Sequence, residues 1–208
     1  MKSDRDRREV IVETRSLSMH FGGVRAVEEV DFRLYDKELR CLIGPNGAGK
    51  STFFKCLTGQ LRPTFGEVII RNQDTTGSEP HEIAGLGVGI KTQVPNVFDG
   101  LSVDENIWLS ARRWNNGRRA RAITTETIER LKLGEIRRET VGRLAHGQRQ
   151  WVELGMVVVA EPWLVLLDEP AAGMNSAETL KLVEFLSWLR DHFSVTMLLI
   201  EHHMQLVM

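Results

Sequence analysis

The sequence predicts an α/β domain built on a mostly parallel sheet, and three observations carry the prediction. Strand-like apolar runs alternate with helix-like amphipathic runs along most of the chain. The run Trp163–Leu167 is apolar at every position, the pattern of a strand buried on both faces of a parallel sheet. The composition is that of one globular domain: 208 residues, 42% hydrophobic and 26% charged, which excludes disordered, collagen-like and disulfide-scaffold classes.

The elements follow in order. Val10–Leu17 and Val30–Tyr35 read as strands, rich in β-branched and alternating apolar residues. Leu39–Ile43 is a short apolar strand running into Gly44, and Ser51–Thr58 is a helix that Gly59 stops. Pro63 and Gly66 mark a turn before a strand at Glu67–Ile70. Pro80–Leu86 reads as a short helix and Gly87–Lys91 as a short strand. Val103–Arg113 and Ile123–Leu133 read as helices on either side of the turn Asn115-Asn116-Gly117, and Gln148–Ala160 as a helix closed by Pro162. Leu182, Phe185, Leu186 and Leu189 share one face of a helix that Asn175 and Glu178 can cap, and Val195–Ile200 is a second buried strand.

The charge narrows the function. Lys and Arg number 27 against 28 Asp and Glu, a net of −1, which argues against wholesale nucleic-acid binding. Residues 111–150 carry ten Arg and one Lys against four Glu, so a basic, helix-rich insert sits inside an acidic body. That insert is a candidate docking surface, through Arg112, Arg113, Arg118 and Arg119, for acidic protein loops or an anionic membrane face. No apolar run reaches 18 residues, and the charged stretch 1–9 has no apolar signal-peptide core. Cys41 and Cys56 read as packing residues of a reducing compartment, and Trp108, Trp114, Trp151, Trp163 and Trp188 as packing residues too.

Gly44-Pro45-Asn46-Gly47-Ala48-Gly49-Lys50-Ser51-Thr52 fits G-x-x-x-x-G-K-[ST] and lies between an apolar strand and a helix, where a phosphate-binding loop belongs. Its glycines let successive N–H groups turn toward phosphate oxygens, and the helix N-terminus adds partial positive charge. Lys50 brings a full charge for the β- and γ-phosphates, and the Ser51 hydroxyl suits Mg²⁺. Farther on, Asp168 and Glu169 end the buried run 164–167, at the sheet edge where ligands bind. An aspartate there can hold Mg²⁺ and the adjacent glutamate can activate a water.

Between these motifs, Arg143-Leu144-Ala145-His146-Gly147-Gln148-Arg149-Gln150 precedes a helix and resembles the signature motif of ABC ATPases. Four further segments fall in that family's order. Phe21 looks like the aromatic that stacks on adenine, Gln93 like the Q-loop glutamine, 171–175 like the D-loop, and His202 like the switch histidine. The motifs 44–52, 93–98, 169–174 and 201–202 resemble the ATPases of the branched-chain amino acid importer group. The stretch His146–Trp151 with Glu153, Gly155 and Met156 is similar to the urea-importer member of that group. Three positions depart from the family pattern: Ala145 where Ser is usual, and Asn175 and His203 where Asp is common.

The resemblance implies a P-loop NTPase (RecA-like) core with an N-terminal antiparallel β subdomain and an inserted helical subdomain at 93–150. These lie within an ATPase domain spanning 10–208 behind the tail 1–9. It implies that this domain lacks its C-terminal end. It implies ATP on 44–52, capped across a dimer by Ala145, His146, Gly147 and Gln148, and Mg²⁺ on Ser51, Gln93 and Asp168. Catalysis would rest on Glu169, Gln93 and His202. The partners it implies are a second ATPase subunit, a permease and, indirectly, a periplasmic solute-binding protein, at the cytoplasmic face of the inner membrane, with no nucleic acid. Two alternatives are a hydrolysis-impaired binding subunit, which Ala145 leaves open, and a nucleic-acid-associated ABC ATPase. The basic region lacks the aromatic platform the latter would use.

Overall fold

A computed structural model describes residues 9–201. It holds two sheets and the helices packed on them. Strands β1 (Val10–Phe21), β2 (Val24–Tyr35), β4 (Phe65–Ile70) and β5 (Gln73–Asp74) form an antiparallel sheet in the order β2-β1-β4-β5. Strands β3 (Leu39–Leu42), β6 (Val88–Lys91), β7 (Leu164–Asp168) and β8 (Thr196–Ile200) form a parallel sheet in the order β3-β8-β7-β6. The expected α/β class, with its antiparallel N-terminal part, is the observed one.

Helix α1 (Lys50–Leu57) lies between the sheets and is buried on several sides at once. Phe53, Phe54 and Leu57 meet Ile11, Leu17, Leu34 and Val68 of the antiparallel sheet and Leu164, Leu166, Leu198 and Ile200 of the parallel one. The opposite face of the parallel sheet, with Val165, Leu167, Met197 and Leu199, packs on a second core. That core takes Leu182 and Leu186 from α6 (Ser176–Phe193), Val152 and Leu154 from α5 (His146–Val158), and Ile107 from α3 (Val103–Arg112). Period-2 alternation in β7 therefore feeds two different cores, which explains why its sequence shows no polar face.

Several element boundaries differ from the sequence reading. Strands β1 and β2 run on to Phe21 and Val24, joined by the tight turn at Gly22-Gly23, because polar His20 and Arg25 pair across the ladder there. Helix α4 (Gly117–Arg130) starts six residues before Ile123, because Asn116 is not only a turn residue: its side chain accepts from the Arg119 N–H at 3.0 Å as an N-cap. Helix α5 starts at His146 rather than Gln148. The predicted cap of α6 is present as a reciprocal box, Asn175 Oδ1 accepting from Glu178 N at 3.0 Å and the Glu178 carboxylate from Asn175 N at 2.9 Å. A short helix α2 (Pro80–Gly85) precedes β6.

The basic insert is partly neutralised by carboxylates that flank it in the chain. Arg121 and Arg137 both bond Asp104, Arg149 bonds Asp99, and Arg119 bonds Glu161. Trp108, Trp151, Trp163 and Trp188 pack on the cores as expected, whereas Trp114 is half exposed, with Arg113 over its ring. No helix among the described residues is long and apolar enough to cross a membrane.

Strand β4 crosses β1 at a bulge where Gly66 has φ +84° and a Cβ would fall 2.4 Å from the Ser16 carbonyl oxygen. Gly66→Ala should lower unfolding free energy by about 1–3 kcal/mol. Gly85→Ala, whose Cβ would meet nothing within 4 Å at the end of α2, should raise it by about 0.4–1 kcal/mol. Urea melts of the two variants that move together, or in reverse order, would contradict this account of β1–β4 packing.

Candidate functional site

Parallel pairing sets the site. Leu42 pairs with Ile200, Ile200 with Asp168, and Lys91 with Leu167. The C-terminal ends of all four strands therefore stand in one row, and the segments that follow them emerge together. Those segments are the loop 44–49, the turn after Lys91, the Asp168-Glu169 corner and Glu201.

The phosphate-type loop is exposed at Pro45, Asn46, Gly47 and Ala48 and anchored below by the buried first turns of α1. Gly49 is the N-cap of α1 at φ +85°, and a Cβ there would fall 2.2 Å from the Ala26 carbonyl oxygen of β2. Only glycine fits, so the antiparallel sheet sets the curve of the loop. Lys50 Nζ donates to the carbonyls of Gly44 at 2.7 Å and Pro45 at 2.9 Å, which holds the ammonium against the loop. Ser51 and Thr52 follow in the first turn of α1, half-buried. Phe21, at the tip of the β1–β2 hairpin, is 46% exposed and so is not a core residue.

Asp168 ends β7 in a buried position, and its Oδ1 has no hydrogen-bond partner in the protein. Burial, with Glu169 next to it, pushes its carboxyl up to about 6, against the opposing pull of Lys55 and Lys91. Glu169 has φ +48°, a left-handed conformation costly for a residue with a Cβ, and its N–H donates to Ile200 O at 2.9 Å. The Gln93 side-chain amide donates to Glu169 Oε2 at 2.9 Å. Glu201, fully buried, accepts from the Ala171 N–H at 3.1 Å and so braces the turn 169–174 from β8. The structure thus brings Gln93, Asp168 and Glu169 together beside α1, which packs on β7 and β8. His202 lies outside the described residues.

The signature stretch is elsewhere. Ala145 is the exposed N-cap of α5, and its N–H donates to Gln148 Oε1 at 3.1 Å. Gly147 is buried against the Glu178 carboxylate, and the exposed His146 has its ring against Gly173 and a nitrogen 3.1 Å from the Gln150 amide. The stretch 145–148 packs on the turn 171–175 and the start of α6 of its own chain, with its exposed side directed outward. Asn175 is engaged as the α6 cap. Cys56 is a buried free thiol raised to about 11 by burial, and Cys41 is also free and shifted upward.

Sequence reasoning missed one feature, a buried ion pair. Lys91 Nζ lies 3.2 Å from Glu153 Oε2, with both side chains almost wholly inaccessible. Burial lowers the lysine and raises the glutamate, while each partner opposes the other's shift. The available signals were a lysine closing the apolar run 87–91 and a glutamate on the apolar face of α5.

The chain matches the model of one protein family, ABC transporter, over residues 27–172. It belongs to the ABC transporter family. Its curated relatives include LivG of Escherichia coli (strain K12), a high-affinity branched-chain amino acid transport ATP-binding protein, 38% identical across 95% of this chain and 84% of LivG. BraF of Pseudomonas aeruginosa, described in the same terms, is 36% identical across 95% of this chain and 84% of BraF. Among solved structures, the ADP conformation of the ATP-binding cassette MJ1267 superposes with a TM-score of 0.83 at 27% identity, covering 96% of this chain and 84% of that one. As an ABC transporter ATPase, the chain binds ATP and hydrolyses it in a reaction coupled to transport.

The raised Asp168 carboxyl makes a signed prediction. Its folded value, about 6, lies above the ordinary 3.8, so the carboxyl opposes folding increasingly as pH rises from 3.8, in full above about 6, and has no effect once both states are protonated. Asp168→Asn should therefore stabilise the nucleotide-free protein on the order of 1 kcal/mol at pH 7.5, with the gain vanishing near pH 4. Urea melts showing the same difference at both pH values would refute it.

Proposed function

We propose that this chain is the ATP-hydrolysing subunit of an importer of the branched-chain amino acid and urea group. The observation that carries the reading is the Gln93–Glu169 hydrogen bond beside a buried Asp168 oxygen with no protein partner. A buried carboxylate oxygen without a donor fits a hard cation such as Mg²⁺. In this reading Ser51, Gln93 and Asp168 would hold that ion, and its charge would neutralise what develops on the β- and γ-phosphate oxygens. The backbone of Gly44, Pro45, Asn46, Gly47, Ala48 and Gly49 would cradle the phosphates with Lys50, Ser51 and Thr52, and the exposed Phe21 ring would stack on adenine.

Glu169 is the proposed general base. Its strained backbone and the Gln93 amide fix the carboxylate, leaving it to orient a water and take its proton. His202 would approach the γ-phosphate from the other side. The stretch Ala145, His146, Gly147 and Gln148, exposed at Ala145 and His146, would cap ATP held by a second ATPase subunit, so one chain contributes half of each of two sites. A permease would dock on the helical subdomain 93–150 beside Gln93, on the cytoplasmic face of the inner membrane, with the solute-binding protein engaged only through the permease. Nucleic acid has no part in this reading.

Two observations bear on the solute. The names of LivG and BraF favour branched-chain amino acids, and the stretch 146–156 favours urea. Proteoliposomes holding this chain, its permease and its solute-binding protein decide between labelled leucine and labelled urea. ATP-dependent uptake of neither sinks the group assignment.

In the same assembly, Glu169→Gln should bind ATP as the parent does while turnover falls about 10²–10⁴-fold. A parental rate would remove Glu169 as the base. Ala145→Ser should tighten the ATP-bound dimer by roughly 10- to 150-fold at the site it caps, the worth of one hydrogen bond to a charged group. An unchanged population of closed dimer would show that the missing hydroxyl limits nothing.

A further inference from the structure

Glu153 lies in the second turn of α5, seven residues past His146, and its two oxygens reach different parts of one loop. Oε1 accepts from the Asn96 N–H at 2.9 Å, and Oε2 faces Lys91 Nζ at 3.2 Å. Lys91 Nζ also donates to Thr92 O at 3.2 Å, and Thr92 Oγ1 to Val94 O at 2.8 Å. The segment 91–96 is therefore drawn into a closed ring clamped at both ends by a single carboxylate, and Gln93 sits within the clamp. The Gln93 side chain, exposed itself, reaches out of this ring to Glu169.

An ion pair this buried is poorly explained by stability. Desolvating two charges is costly, and apolar replacements of such pairs are often as stable or more so. What the pair supplies here is geometry: Glu153 cannot move without carrying residues 91 and 96 along. Helix α5 has the stretch Ala145–Gln148 at its N-terminus, about 10 Å of helix from Glu153. A rigid helix thus joins the proposed dimer-facing end to the loop that bears Gln93.

We infer that Lys91 and Glu153 are positioning residues for ATP hydrolysis, which tie the Gln93 amide to the signature helix so that displacement of that helix moves Gln93 relative to Glu169. This rests on the proposed role of Gln93 at Glu169, and the pair acts through Gln93 rather than on ATP.

The test is the double variant Lys91→Met/Glu153→Gln in the assembled transporter. Gln keeps an acceptor for the Asn96 N–H while the ion pair is gone. The expected result is a melting temperature close to the parent's, an unchanged KM for ATP, and kcat lower on the order of tenfold to a hundredfold, the scale of misplacing a catalytic group. In a Gln93→Ala background the double variant should add no further loss, which a general structural defect would not reproduce. A parental kcat, or the full additional loss in the Gln93→Ala background, overturns the inference while leaving the site reading intact. A parental kcat for Gln93→Ala alone sinks the reading of Gln93 and the inference with it. Should the double variant fold poorly, the exchanged pair Lys91→Glu/Glu153→Lys carries the same test. It retains opposite charges but sets an ammonium against the Asn96 N–H, so the clamp opens at one end and the same fall in kcat is expected.

Discussion

Helix α1 is held between two sheets that share no strand, and its first turn is where both sheets impose themselves on the Gly-rich loop 44–49. The antiparallel sheet acts through the Ala26 carbonyl against Gly49, and the parallel sheet through β7 and β8 beneath Phe54 and Leu57. A loop of mostly exposed residues would otherwise lose much backbone entropy on taking one curve. Here the curve is set by the space left between packed layers.

The same layering places charge where it is expensive to hold. Lys91, Glu153, Asp168 and Glu201 are all buried, along or just behind one end of the parallel sheet. Each has a distinct resolution. Lys91 and Glu153 face each other, Glu201 accepts a backbone N–H, and Asp168 keeps an oxygen without a donor and is shifted toward its neutral form. Such a cluster opposes folding locally, a balance expected where stability yields to function.

Most of the fold was legible in the sequence because its signals are local. The all-apolar run 164–167, the Asn175–Glu178 box and the Gly-rich loop after an apolar strand each name their element. The tip of the β1–β2 hairpin was not legible, because its ladder pairs the half-buried His20 with the exposed Arg25 where apolar alternation stops. The start of α4 was hidden because Asn116 serves equally as turn and cap, and the Asn115-Asn116-Gly117 run favours the first reading. In the site, motifs located Gln93, Asp168 and Glu169, but that Gln93 bonds Glu169, 76 residues away, follows only from the sheet order. The Lys91–Glu153 pair was invisible for the same reason: sequence gives two isolated charges, and only the packing of α5 on β6 makes them partners.

The contact between Gly49 and Ala26 is one of a missing side chain with a backbone oxygen. The two positions therefore constrain each other unequally. Any residue at 26 presents the same carbonyl, so change there leaves the loop untouched, while any side chain at 49 collides whatever stands at 26. Covariation between the two positions would be absent although they touch, and the bracing of the Gly-rich loop by the hairpin would leave no trace in an analysis of paired substitutions.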